Sequence, residues 1–304
     1  MLNIAIIGVG KIAQDSHAPA IAANQGLHLA ATASRNGHID GVPAYPDFES
    51  LLRATPHLHA VSLCTPPNAR HAIAAAAIDA GLHVMLEKPP AATVLEAEDL
   101  ARRAADRGVT LFTTWHSRCS AGVAPARAWL RSRELVDVRV FWKEDIRRWH
   151  PGQSWILEAG GLGVFDPGIN ALSILTDILP QPLRVESAQF SIPKGRSGPI
   201  AATLALRCGT AAVHAEFDFR QTGQQQWDIE IETDAGRLAL RDGGAVLALP
   251  GEMLRGPNAE YAKLYQRFAD LVVEGQSDVD LAPLQLVADA FLLASRTDAE
   301  PIEY

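Results

Sequence analysis

Through its first 115 residues the chain alternates short apolar runs with longer stretches whose apolar positions recur at helical spacing. Leu2–Ile7, Leu27–Ala33, Ala60–Cys64, His83–Leu86 and Thr110–Thr114 are too short for helices and too continuously apolar to have a wet face. They predict strands buried on both sides. Between them, alanine-rich segments such as Asn68–Ala80 and Thr93–Asp106 predict helices, stopped by Gly81 and Gly108. Thr93 and Glu96 make a capping-box pattern, in which the two side chains satisfy amides left free at a helix start. Strand and helix in alternation predict a parallel sheet covered on both faces.

The pattern then changes. Ala121–Arg133 predicts a helix, Leu135–Trp142 a strand and Lys143–Ser154 a polar loop, and Asp166-Pro167 opens a helix reaching about Leu179. From 184 to 250 strands follow one another through turns: Ile200–Arg207, Ala211–Arg220, Trp227–Thr233, Arg237–Leu240 and Ala245–Leu249. Asp234-Ala-Gly236 and Asp242-Gly-Gly244 punctuate hairpins. Such strands build an antiparallel sheet with one face left for a ligand or a partner subunit. Asn258–Glu274 and Asp280–Arg296 predict two closing helices.

Composition narrows the partners. A net charge of −8 over 304 residues argues against a nucleic-acid surface, which needs a basic stripe. Cys64, Cys119 and Cys208 lie far apart with no CxxC pairing, so neither a disulfide framework nor a metal site is expected, and a reducing cytoplasm fits. The apolar N-terminus Leu2–Gly10 lacks a basic segment and a cleavage site, and reads as a strand rather than a signal peptide. No apolar run is long enough for a membrane span.

Gly8-Val-Gly10-Lys11-Ile12-Ala13 follows the first strand and leads into helical residues. In this GxGxxA pattern the first glycine turns tightly and the second admits a pyrophosphate. The small third residue lets helix and strand pack closely. A helix start there offers free amides to the phosphates. The rival reading is a merely structural glycine turn, but the strand-turn-helix context favours a dinucleotide. The second strand ends at Ser34-Arg35, with no carboxylate before Asp40. An arginine there suits a ribose 2′-phosphate, so NADP is the expected cofactor with NAD tolerated, unless Arg35 is only a solvated surface charge.

The expected fold is therefore α/β. An N-terminal Rossmann domain with a doubly wound parallel sheet spans 1–118, and an α+β domain on a large open, mainly antiparallel sheet spans 119–304. Helix 281–296 is expected to pack back on the first domain, and the open sheet to join copies into a homo-oligomer.

Two further motifs end strands at the sheet's carboxyl edge, where such sheets bind ligands: Cys64-Thr65-Pro66-Pro67-Asn68 and Glu87-Lys88-Pro89. With the GxGxxA loop and Gly160-Gly-Leu-Gly163…Asp166-Pro-Gly-Ile-Asn170, they resemble the glucose-fructose oxidoreductase/inositol dehydrogenase/MocA family over nearly the whole chain. Trp142–Gln153 and Gly161–Ser173 look like the family's L-arabinose and D-galactose 1-dehydrogenase branch.

The resemblance implies that Lys88 and Asp166 flank the reacting carbon and that no metal is needed. It implies Glu144, His150 and Asn170 on the sugar hydroxyls, with Trp149 and Trp155 as stacking surfaces. Around the cofactor it implies the phosphate loop with Lys11 and Ile12, then Ser34, Arg35, Cys64, Thr65, Pro66, His71, Glu87 and Lys88. His116 and Arg118 could lie near the nicotinamide or serve elsewhere. The common family pattern ends in histidine where this chain has Asn170, which cannot take a proton, so the base is Asp166 or, alternatively, Lys88.

Simpler readings stand beside these. Asp166-Pro167 is also an ideal helix N-cap and first residue, and Lys143–His150 could be a solvated charge cluster. The implied activity is oxidation of L-arabinose or D-galactose at C1 to the lactone. Its rivals are a family oxidoreductase for inositol or another aldose, and a non-catalytic NAD(P) or sugar sensor.

Overall fold

The computed structural model describes residues 1–302. The first strands are β1 (Leu2–Ile7), β2 (Leu27–Ala33), β3 (Ala44–Tyr45), β4 (Ala60–Leu63), β5 (His83–Leu86) and β6 (Leu111–Thr113). Helices α1 (Ala18–Ala23), α2 (Phe48–Ala54), α3 (Pro67–Asp79) and α4 (Val94–Arg107) lie among them. Then come α5 (Val123–Leu130), β7 (Leu135–Lys143), α6 (Ile146–Trp149) and α7 (Phe165–Ile178). Strands β8 (Leu183–Pro193), β9 (Ala201–Cys208), β10 (Ala211–Asp218) and β11 (Gln226–Thr233) follow. The chain ends through β12 (Gly236–Arg241), β13 (Val246–Leu249), β14 (Glu252–Arg255), α8 (Glu260–Glu274), α9 (Ala282–Leu293) and β15 (Ala294–Ala299).

These elements form two compact units. The first holds Met1–His116 and Glu260–Leu281; the second holds Ser117–Ala259 and the residues from Ala282 on.

In the first unit a six-stranded parallel sheet runs in the order β3-β2-β1-β4-β5-β6. The chain leaves β1 toward β2 and later returns to β4 on its other side, so the strand order reverses between β1 and β4. That switch point opens a crevice at the carboxyl ends of the strands. Ile4 to Ile7, Val61, Leu63, Val84 and Leu86 are buried, as strands covered on both faces require. Half of the capping box forms: Thr93 Oγ1 accepts the Glu96 amide at 3.2 Å, but Glu96 reaches back to the amide of Ala92, at 3.1 Å, rather than to that of Thr93.

The late helix that returns to this unit is α8, which corrects the expectation for 281–296. Leu264, Tyr265, Phe268 and Leu271 line one face of α8 and are buried, with Phe268 stacked on Phe112 at 6.4 Å. Helix α9 stays in the second unit, where it packs on α7 and β8. It ends at Leu293, and 294–299, expected partly as helix, form β15 parallel to β8.

The second unit is built on a nine-stranded mixed sheet, β14-β13-β12-β11-β7-β10-β9-β8-β15. Most neighbours are antiparallel, but β7 pairs with β10, and β8 with β15, in parallel. Alternation is clean on the central strands: Val138, Val140, Val213, Ala215 and Phe217 are buried, whereas Arg139, His214 and Glu216 are exposed. The buried face meets α7 and α9 around Phe165, Phe190, Phe217 and Phe291. Among the described residues, no helix is long and apolar enough to cross a membrane.

Candidate active site

In the first unit three turns meet at the carboxyl edge of the sheet. Gly8 has φ +91°, and a Cβ there would stand 2.8 Å from the Thr65 amide, so only glycine lets the β1 and β4 turns touch. A Cβ on exposed Gly10 would meet nothing within 4 Å. Helical residues begin at Lys11 just beyond it. Open space over a glycine at a helix start fits a pyrophosphate. Lys11 is paired with Asp15, Ile12 is exposed and Ala13 is buried against the sheet.

The loop after β2 carries half-buried Ser34 and exposed Arg35, which forms none of the described ion pairs. Gly37 is tucked onto the phosphate loop, where a Cβ would fall 2.1 Å from the Val9 carbonyl oxygen.

Arg70, in the first turns of α3, is buried and ties the other two turns together. Its guanidinium donates to the carbonyls of Thr65, Glu87 and Pro89. Cys64, Thr65, Glu87 and Lys88 are thus brought to one edge, while Pro66 lies exposed beside them. His71 faces the other way and binds Asp99 of α4 at 2.9 Å.

Glu87 is almost wholly buried. Its Oε2 accepts the Lys88 amide at 2.8 Å, and its Oε1 accepts the Tyr261 hydroxyl at 2.8 Å and lies 3.3 Å from Nε2 of His17. Burial alone would raise the Glu87 carboxyl, but the bond and charge of His17, with His116 and Lys88 beyond, hold it well below the usual carboxylate range. Burial likewise opposes charge on His17, yet its acidic neighbours Cys64, Tyr265 and Glu87 lift it well above the ordinary imidazole value. His116 stacks on Tyr261 and binds Glu260 at 2.7 Å, so it secures the start of α8.

The second unit gathers a separate set. Glu144, at the end of β7, is buried with both oxygens engaged: Oε1 lies 2.9 Å from His150 Nε2 and Oε2 accepts the Trp227 indole at 2.9 Å. Nδ1 of His150 is 4.0 Å from Oδ2 of Asp166. Trp149 packs edge-on against Trp227 and donates to Gln225, whose same oxygen accepts the Asp145 amide at 2.6 Å. Asp145 caps the short helix α6, which turns His150 inward. The segment 143–150 is therefore an ordered scaffold rather than a solvated charge cluster.

Asp166 is the second residue of α7, whose N-cap is Val164. The N-cap reading fails. Half-buried Asn170 follows one turn later. The approach to α7 is shaped by glycine: Gly163 has φ +57°, and a Cβ there would collide with the Pro199 carbonyl at 2.4 Å. Trp155 is half-buried in the 3₁₀ turn Ser154–Leu157. Arg118 belongs to this unit, where its guanidinium donates to the Ser173 carbonyl and the Thr176 hydroxyl, each at 2.8 Å. Holding α7 accounts for Arg118 without a cofactor.

The predicted residues thus divide between the units, with Lys88 in the first and Asp166 in the second. Sequence reasoning missed Trp227, Gln225, Tyr261 and Tyr265, and did not single out His17. Arg70 follows the Cys64–Asn68 turn by two residues, and an arginine one turn into α3 was its available signal.

Residues 2–115 match the oxidoreductase family with an NAD-binding Rossmann fold, GFO/IDH/MocA. Over 304 residues, 98% of both chains, the sequence is 42% identical to galactose 1-dehydrogenase of Pseudomonas fluorescens. The chain belongs to the glucose-fructose oxidoreductase/inositol dehydrogenase/MocA family. Among solved members, D-galactose-1-dehydrogenase of Rhizobium etli superposes with a TM-score of 0.95 at 51% identity, covering 99% of this chain and 98% of that one. The same fold is found at much lower identity. KijD10, a 3-ketoreductase of Actinomadura kijaniata solved with TDP-benzene and NADP, has a TM-score of 0.84 at 18% identity, covering 98% and 99% of the two chains.

Proposed function

We propose that the protein is an NADP-preferring aldose 1-dehydrogenase that oxidises D-galactose, and L-arabinose as a second substrate, to the aldonolactone. The observation that carries this reading is likeness over almost the full length to two galactose 1-dehydrogenases. The two sugars share ring stereochemistry from C1 to C4 and differ in the C5 substituent, so one pocket suits both. Ser34 and Arg35 support the preference for a 2′-phosphate.

Bound over the phosphate loop, NADP would accept the hydride leaving C1. Asp166 takes the O1 proton as the C1–O1 bond becomes a carbonyl, and the ammonium of Lys88 stabilises the developing alkoxide. His150 and Asn170 bind ring hydroxyls. Glu144 fixes the His150 ring and has lone pairs left to accept a hydroxyl of its own. Trp149 offers an exposed aromatic face for the sugar's C–H groups. Copies associate through the open face of the nine-stranded sheet, around Arg139, His214 and Glu216.

The test is a panel of D-galactose, L-arabinose, D-glucose and myo-inositol with NADP and with NAD, followed by absorbance of the reduced cofactor. Turnover of the first two sugars with NADP is expected. Turnover of inositol alone would move the chain to another branch, and NADP binding without turnover of any sugar would favour a sensor. Light scattering in the same buffer reads the assembly: a monomer would remove the sheet interface.

A further inference from the structure

Just after the phosphate loop, the helix that reaches Ala23 is wound over Ala13–His17 as a π-turn. Such turns are rare and concentrate at functional sites. This one delivers His17, with no exposed surface, to the Glu87–Pro89 turn. Besides facing Glu87, His17 holds its Nδ1 2.7 Å from the Tyr265 hydroxyl, which itself binds Ser62 at 3.0 Å. The Tyr261 ring meets the imidazole edge-on at 4.8 Å.

A buried ion pair is a poor way to stabilise a fold. Each charge costs several kcal/mol to desolvate, and apolar replacements are often neutral or better. The arrangement instead serves geometry. A carboxylate can hold the Lys88 amide with one oxygen in a fixed direction only if its other oxygen is anchored. His17 and Tyr261 supply that anchor.

We propose that His17, Glu87 and Tyr261 are positioning residues for Lys88: together they lock the carboxylate that fixes the lysine's main chain, and so aim its ammonium. Helix α8, from far along the sequence, thereby takes part in turnover without touching substrate. The inference rests on the reading that Lys88 acts in the reaction.

The test uses the full-length chain with D-galactose and NADP. Tyr261→Phe removes a single hydroxyl and keeps the ring. It should lower kcat about tenfold while the KM for NADP stays within about twofold. In a Lys88→Ala background the same change should add less than about twofold, because the group being aimed is gone. His17→Asn should behave alike, and Tyr261→Phe decides the matter if that variant does not fold.

A second readout needs no substrate. After reductive ¹³C-methylation, the Lys88 resonance, identified by its loss in Lys88→Arg, should move or broaden in Tyr261→Phe. Equal losses in both backgrounds, or wild-type kcat with an unmoved resonance, would overturn the proposal. Full turnover in Lys88→Ala would instead remove Lys88 from the reaction, and the resonance would still report whether His17 and Tyr261 aim it.

Discussion

His150 presents Nε2 to Oε1 of Glu144 across 2.9 Å, and that bond decides which way the imidazole faces. An ionised carboxylate only accepts, so Nε2 carries the hydrogen and Nδ1 is turned toward Asp166. Trp227 holds the other oxygen and keeps the carboxylate from rotating. Glu144→Ala should therefore lower kcat/KM about ten- to hundredfold, the usual effect of stripping a buried partner. Glu144→Gln keeps an acceptor oxygen and should lose less. Steady-state rates with D-galactose check this, and an unaffected Glu144→Ala would show that His150 is oriented by something else.

Lys88→Ala and Asp166→Ala separate chemistry from binding. Loss of a positioned proton acceptor or of alkoxide stabilisation should cut kcat by about 10²- to 10⁴-fold. NADP affinity, followed by fluorescence titration, should survive in Asp166→Ala, whose side chain belongs to the other unit from the phosphate loop. Wild-type kcat in either variant would remove that residue from the mechanism.

Arg35 and Gly37 sit two residues apart yet should fail differently. On the proposed reading, Arg35→Ala removes a charge-assisted contact to the 2′-phosphate and should raise the KM for NADP about ten- to hundredfold, with NAD nearly unchanged. Gly37→Ala drives a methyl into the Val9 carbonyl and displaces the phosphate loop itself, so both cofactors should suffer equally. A matched effect of Arg35→Ala on NAD and NADP would refute the phosphate contact.

The His17–Glu87 pair gives stability a pH window. Glu87 is held below its ordinary 4.5, so its contribution is present above that pH and is lost as pH falls through its folded value. His17 is raised above 6.5, so its contribution is complete below that pH and fades as pH rises through its folded value. Cys64, His116, Lys88, Tyr261 and Tyr265 are the titratable groups that face the pair. The Tm advantage of the wild type over His17→Asn should be greatest between pH 4.5 and 6.5 and should shrink on both sides. An advantage that grows steadily above neutrality would contradict a charged His17.

The first sheet was legible because doubly covered strands have to be continuously apolar, and Leu2–Ile7 or His83–Leu86 admit no other reading. Strand β3 and helix α2 were not, since two residues and seven carry too little periodicity against a polar background. The end of α9 was misplaced for a related reason: Ser295, Arg296 and Thr297 continue the helical register, and only pairing with β8 draws them into a strand.

At the site, motif residues such as Gly8, Lys88 and Asp166 could be named from local pattern alone. His17 could not. A helical wheel places it by ordinary winding, and one π-turn with more residues per turn brings it inside. Tyr261 and Trp227 were hidden because their partners, Glu87 and Glu144, are 174 and 83 residues away in the chain.

The first unit is interrupted by more than a hundred intervening residues before α8 completes it. A ribosome releases the nucleotide-holding sheet long before it makes Tyr261 and Tyr265, so the nascent sheet waits with an open flank over His17. A truncated clone stopping at residue 116 would keep every glycine of the phosphate loop and still lack the wall behind its lysine. Anyone wishing to transplant this half into a chimera has to carry both pieces of string.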